Sequence, residues 1–104
     1  MLFRSCVVLL VHLIKQQAEK RTTHSWDVSI RNAIDAIDRI NKRRKAGGYY
    51  MDKKEIEEIL PGAYNRALDN ASLEAFGGIY DELTLRNMVD QELIINQALN
   101  FIFN

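Results

Sequence analysis

Between Trp26 and Lys45 the apolar residues Trp26, Ile30, Ala33, Ile34, Ile37 and Ile40 recur at intervals of three and four. At 3.6 residues per turn they fall on one face of a helix, a pattern that a strand of period two cannot present. A stripe of this kind is stable only when buried against other elements, so the rest of the chain must supply them. Ser25 is placed to cap the first turn, Asp27 lies near the positive end, and Arg43, Arg44 and Lys45 complement the negative end before Gly47-Gly48 stops the helix.

Asp52 and Glu55 form an Asp-x-x-Glu variant of the capping box. It predicts a short helix from Lys53 to Leu60 that carries Ile56, Ile59 and Leu60 and is ended by Pro61-Gly62. Ala63 to Phe76 places Tyr64, Ala67, Leu68, Ala71 and Ala75 at mixed helical spacings, with Asp69-Asn70 as the point where it would divide. Gly77-Gly78 leads through Tyr80 and Asp81 to a long final helix from about Leu83 to Phe103. Residues 5 to 20 also read as a helix, although their Val-rich run taken alone suits a strand. The expected fold is all-α, a small irregular or orthogonal bundle of four to five helices, with the helices from Trp26 and from Leu83 as its main packing pair.

The sequences Gly47-Gly48-Tyr49-Tyr50 and Gly77-Gly78-Ile79-Tyr80 share Gly-Gly-x-Tyr, but repeat architectures need about three or more units. Both are read as helix stops, each followed by an anchoring aromatic. With 104 residues, 47% of them hydrophobic, five Gly and one Pro, residues 1–104 are expected to form a single helical domain rather than a disordered chain. Residues 1–5 can be encoded by ATG CTC TTC CGA TCT, which ends like a common sequencing adapter. They are therefore expected to be non-native and the chain to be a fragment of a longer one.

Cys6, as the one cysteine, has no disulfide partner, and no Cys and His pair has metal-ligand spacing, so no metal or cofactor is expected and a reducing cytoplasm is the expected compartment. The apolar run from Cys6 to Ile14, interrupted by His12, is far shorter than the roughly 20 residues of a membrane span, so no membrane association is expected. Arg4 before that run imitates a signal peptide, but the polar run that follows, from Lys15 to Lys20, offers no small-residue cleavage site.

Net charge is zero, yet the chain is split. Residues 1–50 hold ten Lys and Arg against four Asp and Glu, and residues 51–104 hold four against ten. Neutralisation between adjacent helices is the simplest use of this asymmetry, and association between copies is another. Arg39, Lys42, Arg43, Arg44 and Lys45 concentrate five cations in seven residues, with Tyr49 and Tyr50 just beyond. They are the candidate contacts to a partner or to phosphate, the tyrosines being able to stack on unpaired bases. Cations are also what a helix C-terminus favours, and a pI near 6.7 lacks the broad basic character of most nucleic-acid-binding domains. A helix-turn-helix over Lys53 to Leu68 fits poorly, because Glu55, Glu57 and Glu58 would meet phosphate.

No catalytic residue is assigned. His24, Ser25 and Asp27 are triad residue types, but adjacency in sequence is the wrong geometry. His12 reads as a satisfied core or boundary residue, Cys6 lacks an activating partner, and Asp35 and Asp38 lie at spacings where Arg31, Arg39 and Lys42 neutralise them. In the final helix a stripe of Leu85, Met88, Val89, Leu93, Ile95, Leu99, Ile102 and Phe103 has Glu92 and Asn96 projecting into its middle. These two are read as a specificity pair that meets a cation or a subunit partner. Ile94 and Phe101 fall outside the stripe and are read as an interface. The expected function is a non-enzymatic helical protein-interaction or adaptor module that self-associates. The alternative is a nucleic-acid-associated accessory protein that uses residues 39–45.

Overall fold

The helix nearest the start of the chain is apolar on more than one side. Over Leu2–Glu19, residues Leu2, Cys6, Val7, Leu9, Leu10, Val11, Leu13, Ile14, Lys15 and Ala18 are all buried. A helix buried on more than one side must be central, and this one is, with only Phe3, Arg4 and Val8 exposed along it. The computed structural model describes residues 2–44 and 53–103. It contains α1 (Leu2–Glu19), α2 (His24–Arg44), α3 (Lys53–Ser72), a 3-10 turn (Ala75–Gly78), α4 (Glu82–Met88) and α5 (Gln91–Phe103), with no strand among the described residues. The protein is an all-α bundle. Its main packing is α1 against α3 and α2, with α5 laid across them, whereas α2 and α5, the pair expected to dominate, touch only lightly.

Each helix end has a local cause. Lys20 takes a left-handed φ of 55° and the Arg21 amide donates to the Gln16 carbonyl at 3.3 Å, closing α1 with a Schellman turn. The Thr23 hydroxyl accepts from the Trp26 amide at 3.1 Å, so Thr23 caps α2 and Ser25, the expected cap, lies exposed inside the first turn. The Gly47-Gly48 stop and the Asp52 cap lie outside the described residues.

α3 runs unbroken through Pro61-Gly62 and Asp69-Asn70, where the sequence predicts a stop and a division. Pro61 removes one backbone donor and costs about 3 kcal/mol in a helix interior. Pro61 and Gly62 lie on the exposed face, while Leu60, Ala63, Tyr64, Ala67, Leu68 and Ala71 are completely buried on the other. Burying Leu60, Tyr64 and Leu68 alone, at about 1.5–3 kcal/mol each, outweighs the proline. An unbroken helix also removes the turn that a helix-turn-helix would need here.

The expected final helix is two helices. Val89 is extended (φ −127°, ψ 160°), and Asp90 restarts the chain: its side chain accepts from the Leu93 amide at 3.1 Å and its carbonyl from Ile94 at 3.0 Å. Asp81 caps α4 in the same way, accepting from Thr84 at 2.8 Å. Tyr80–Leu85 and Val89–Ile94 both have the N′ to N4 spacing of a hydrophobic staple. The break resets the helical phase, so α5 buries Ile94 and Ala98 and half-buries Ile95, Leu99 and Ile102.

Candidate functional site

The segment joining α3 to α4 leaves apolar side chains in solvent. Leu73 is 77% exposed, Ile79 73% and Leu83 65%, with Tyr80 also exposed. They form a knuckle rather than a loose loop, because the backbone beneath them is pinned. Phe76, Gly77 and Gly78 take left-handed φ values of 53°, 69° and 81° in succession. At Gly78 an added Cβ would stand 3.0 Å from the Leu73 carbonyl oxygen, so the turn passes close against the backbone of Leu73. A left-handed Phe is costly and persists only where its surroundings impose it.

Those surroundings are the far end of α1. One Glu19 carboxylate oxygen accepts from the Phe76 amide at 3.1 Å, and the other takes Arg21 at 2.9 Å. Burial alone would raise the Glu19 pKa, but the Phe76 amide and the charges of Arg21 and Lys15 together hold it below the usual carboxylate value. Lys15 is buried along its stem, with its Nζ 2.8 Å from a Glu74 carboxylate oxygen and 4.7 Å from the centre of the Trp26 ring. Arg21 also lies over that ring, at 5.0 Å. Phe76 meets Tyr80 edge to face at 5.2 Å. The Gln17 side chain accepts from the Asp90 amide, tying the start of α5 to α1.

Beside the knuckle lies an open cleft of about 220 Å³, lined by Val7, Val8, Val11, His12, Asn70, Leu73 and Glu74. The His12 Nδ1 is buried with no hydrogen-bond partner among the described residues, unlike the satisfied core histidine the sequence suggests. Burial and the neighbouring Lys15 charge lower its pKa, opposed by Glu74, so His12 is neutral at pH 7. Tyr64 is wholly buried, its hydroxyl likewise without a partner, and burial pushes its pKa up to about 12. Burial likewise raises Cys6 to about 11, which leaves an unreactive thiol. No group of acidic, His and Cys residues among the described ones could hold a metal ion.

The residues singled out from sequence are dispersed. Glu92 and Asn96 are exposed on α5 beside Gln91 and Ile95, because the phase reset at Asp90 turns them out of the stripe, so neither is buried within the chain. The same reset makes Ile94, expected at an interface, a fully buried core residue. Phe101 is half-exposed over a groove with Ile30 and Ile34 of α2, and Leu93 and Phe103 are exposed with it. Arg39 is exposed on α2, and Lys42, Arg43 and Arg44 belong to that helix's last turn. Lys45, Tyr49 and Tyr50 lie outside the described residues. His24 and Ser25 are exposed on the first turn of α2, while Asp27 accepts from Gln16 and Thr22 as a structural partner.

The knuckle escaped sequence reading because an exposed leucine looks like a buried one. The available signal was that Leu73, Ile79 and Leu83 belong to no helical stripe. No helix among the described residues is long and apolar enough to cross a membrane. No protein-family model matches the chain, and neither the curated proteins nor the solved structures contain a significant match to it.

Proposed function

We propose that this chain is a non-enzymatic helical protein-interaction module that self-associates. The observation that carries the reading is the pinned knuckle, in which Leu73, Ile79 and Leu83 are each about two-thirds or more exposed within eleven residues. Scattered surface leucines are ordinary, but three large apolar side chains left in solvent by one short, ordered segment are what a partner covers. Preorganisation by Glu19, Gly77 and Gly78 lowers the ordering cost of binding. A reducing cytoplasm suits a chain whose one cysteine is a buried thiol.

The test is a pair of variants, Leu73→Asp and Ile79→Asp, together with a photo-reactive residue at position 79 in cells that express the protein. An interaction surface predicts unchanged thermal stability, lost association and a discrete cross-linked adduct that the Leu73→Asp change abolishes. Stability losses of core size in both variants, or no adduct of any kind, overturn the reading.

A further inference from the structure

His12 and Lys15 stand one turn apart on α1, so their side chains share one stripe of that helix. Two groups hold the Lys15 ammonium in place: a Glu74 carboxylate oxygen 2.8 Å from its Nζ, and the Trp26 ring of α2 centred 4.7 Å away. His12 opens with Glu74 onto the cleft between α1 and the end of α3, and Glu74 is the one acid that lines it. The His12 Nδ1 is buried and has no hydrogen-bond partner among the described residues. Lys15 and Glu74 are the charges that act on this ring. No charged residue of α2, α4 or α5 lines the cleft, and α3 contributes only the uncharged Asn70.

Glu74 is free to change partner. It opens the 3-10 turn without its carboxylate capping that turn, and its side chain is half-exposed. Its main chain is fixed, the amide donating to the Ala71 carbonyl at 3.0 Å and the carbonyl accepting from Gly77 at 3.2 Å. A pull on the side chain is therefore passed along the turn.

A protonated imidazole has two N–H donors and no acceptor, so the buried Nδ1 becomes a charged donor that has to be satisfied. It also repels the ammonium one turn away, and a single carboxylate stands between the two cations. The flexible Lys15 stem can carry its ammonium to water, whereas the His12 ring cannot bring a buried Nδ1 there. We infer that His12 is a proton-operated switch: when its ring is charged, Glu74 leaves Lys15 for the imidazolium, Lys15 withdraws from the Trp26 ring, and the turn from Leu73 to Gly77 is drawn towards the cleft. The tie between α1 and the turn moves by three residues, about 4.5 Å at 1.5 Å per residue. Burial and the Lys15 charge lower the His12 pKa from its ordinary 6.5, against the pull of Glu74, so the switch operates on the acid side of that value.

Trp26 is the one tryptophan of the chain, so its emission reads the ammonium beside it. At a temperature where circular dichroism shows the protein folded throughout, titration from about pH 8 to about pH 5 should change that emission in one step with a midpoint below 6.5. The backbone amide resonances from Leu73 to Gly77 should move with the same midpoint. His12→Gln should lose both changes, with His12→Asn taking its place if it does not fold. His24→Gln, which removes the other histidine, two residues from Trp26, should keep both. Glu74→Gln should show the acid-side emission already at about pH 8 and no step on titration. No step in the wild type, a step that survives in His12→Gln, a step lost in His24→Gln, or a Glu74→Gln protein that emits at about pH 8 like the wild type would each overturn the switch.

Discussion

Replacing Ile94 and Glu92 separately by alanine tests the phase reset at Asp90. Ile94 is fully buried against the core, and Glu92, two residues earlier, is exposed. Truncating a buried isoleucine removes its transfer free energy and leaves a cavity, together about 2–5 kcal/mol. An exposed site with no partner changes stability by no more than about 0.5 kcal/mol. In a domain of this size each kcal/mol shifts the melting temperature by about 4–8 °C, so Ile94→Ala should lower it by at least ~8 °C and Glu92→Ala by less than ~4 °C. Urea titration at several protein concentrations should give an unchanged m-value for both and a concentration-independent loss for Ile94→Ala, since Ile94 is covered by its own chain. If Ile94→Ala leaves too little folded protein to measure, Ile94→Val should cost about 0.5–1.5 kcal/mol. A costly Glu92→Ala beside a silent Ile94→Ala would refute the division into α4 and α5 and restore one continuous helix with Glu92 inside its stripe.

Pro61→Ala should stabilise the protein by about 2–2.6 kcal/mol in urea titration, the helix gain of about 3 kcal/mol being offset by about 0.4–1 kcal/mol from a freer unfolded chain; a loss of stability would mean that α3 depends on the proline. Gly78→Ala, with φ +81° and the Leu73 carbonyl 3.0 Å from the new Cβ, should cost more than Gly77→Ala, where φ is +69° but the space is open, and equal melting temperatures would contradict this. Glu74→Gln leaves the Lys15 ammonium, 8% exposed, without its carboxylate; because Glu74 itself is 51% exposed, the cost should be only about 1–2 kcal/mol, and Lys15→Met in the same background should recover it. Stability should also fall on acidification from near the ordinary His value of 6.5, because the unfolded chain protonates His12 before the folded one does. A second loss should follow below the ordinary Glu value of 4.5, as the carboxylate of Glu19, favoured when folded, is protonated. Melting curves against pH for the wild type and His12→Gln separate these, since the variant should lack the first loss and keep the second.

α2 was legible because Trp26 to Ile40 repeats at one period without interruption, and only its cap was misplaced, Thr23 and Ser25 being equally able to accept an amide. α3 was misread where local chemistry and burial disagree: Pro61-Gly62 signals a stop, but Leu60, Ala63 and Tyr64 continue one stripe across it, and their burial prevails. The reverse happened at Val89-Asp90, where no Gly or Pro marks the break and a single aspartate cap resets the phase. That one reset sends Glu92 and Asn96 to the surface and Ile94 into the core, away from the places one continuous helix would give them. The knuckle depends on which face of the molecule α3 and α4 leave uncovered, a property of tertiary packing that periodicity along the chain does not encode.

The central place of α1 also sets an order of events during synthesis. It packs against α5, whose buried residues Ile94 and Ala98 are made some 75 residues after α1 itself. At about 5–20 residues per second, α1 waits roughly 4–15 s for its last neighbour, whereas docking two helices needs far less time. In that interval the side of α1 that α5 will cover stays open, so the nascent chain passes through a stage that an apolar-binding chaperone can recognise and that the finished bundle hides.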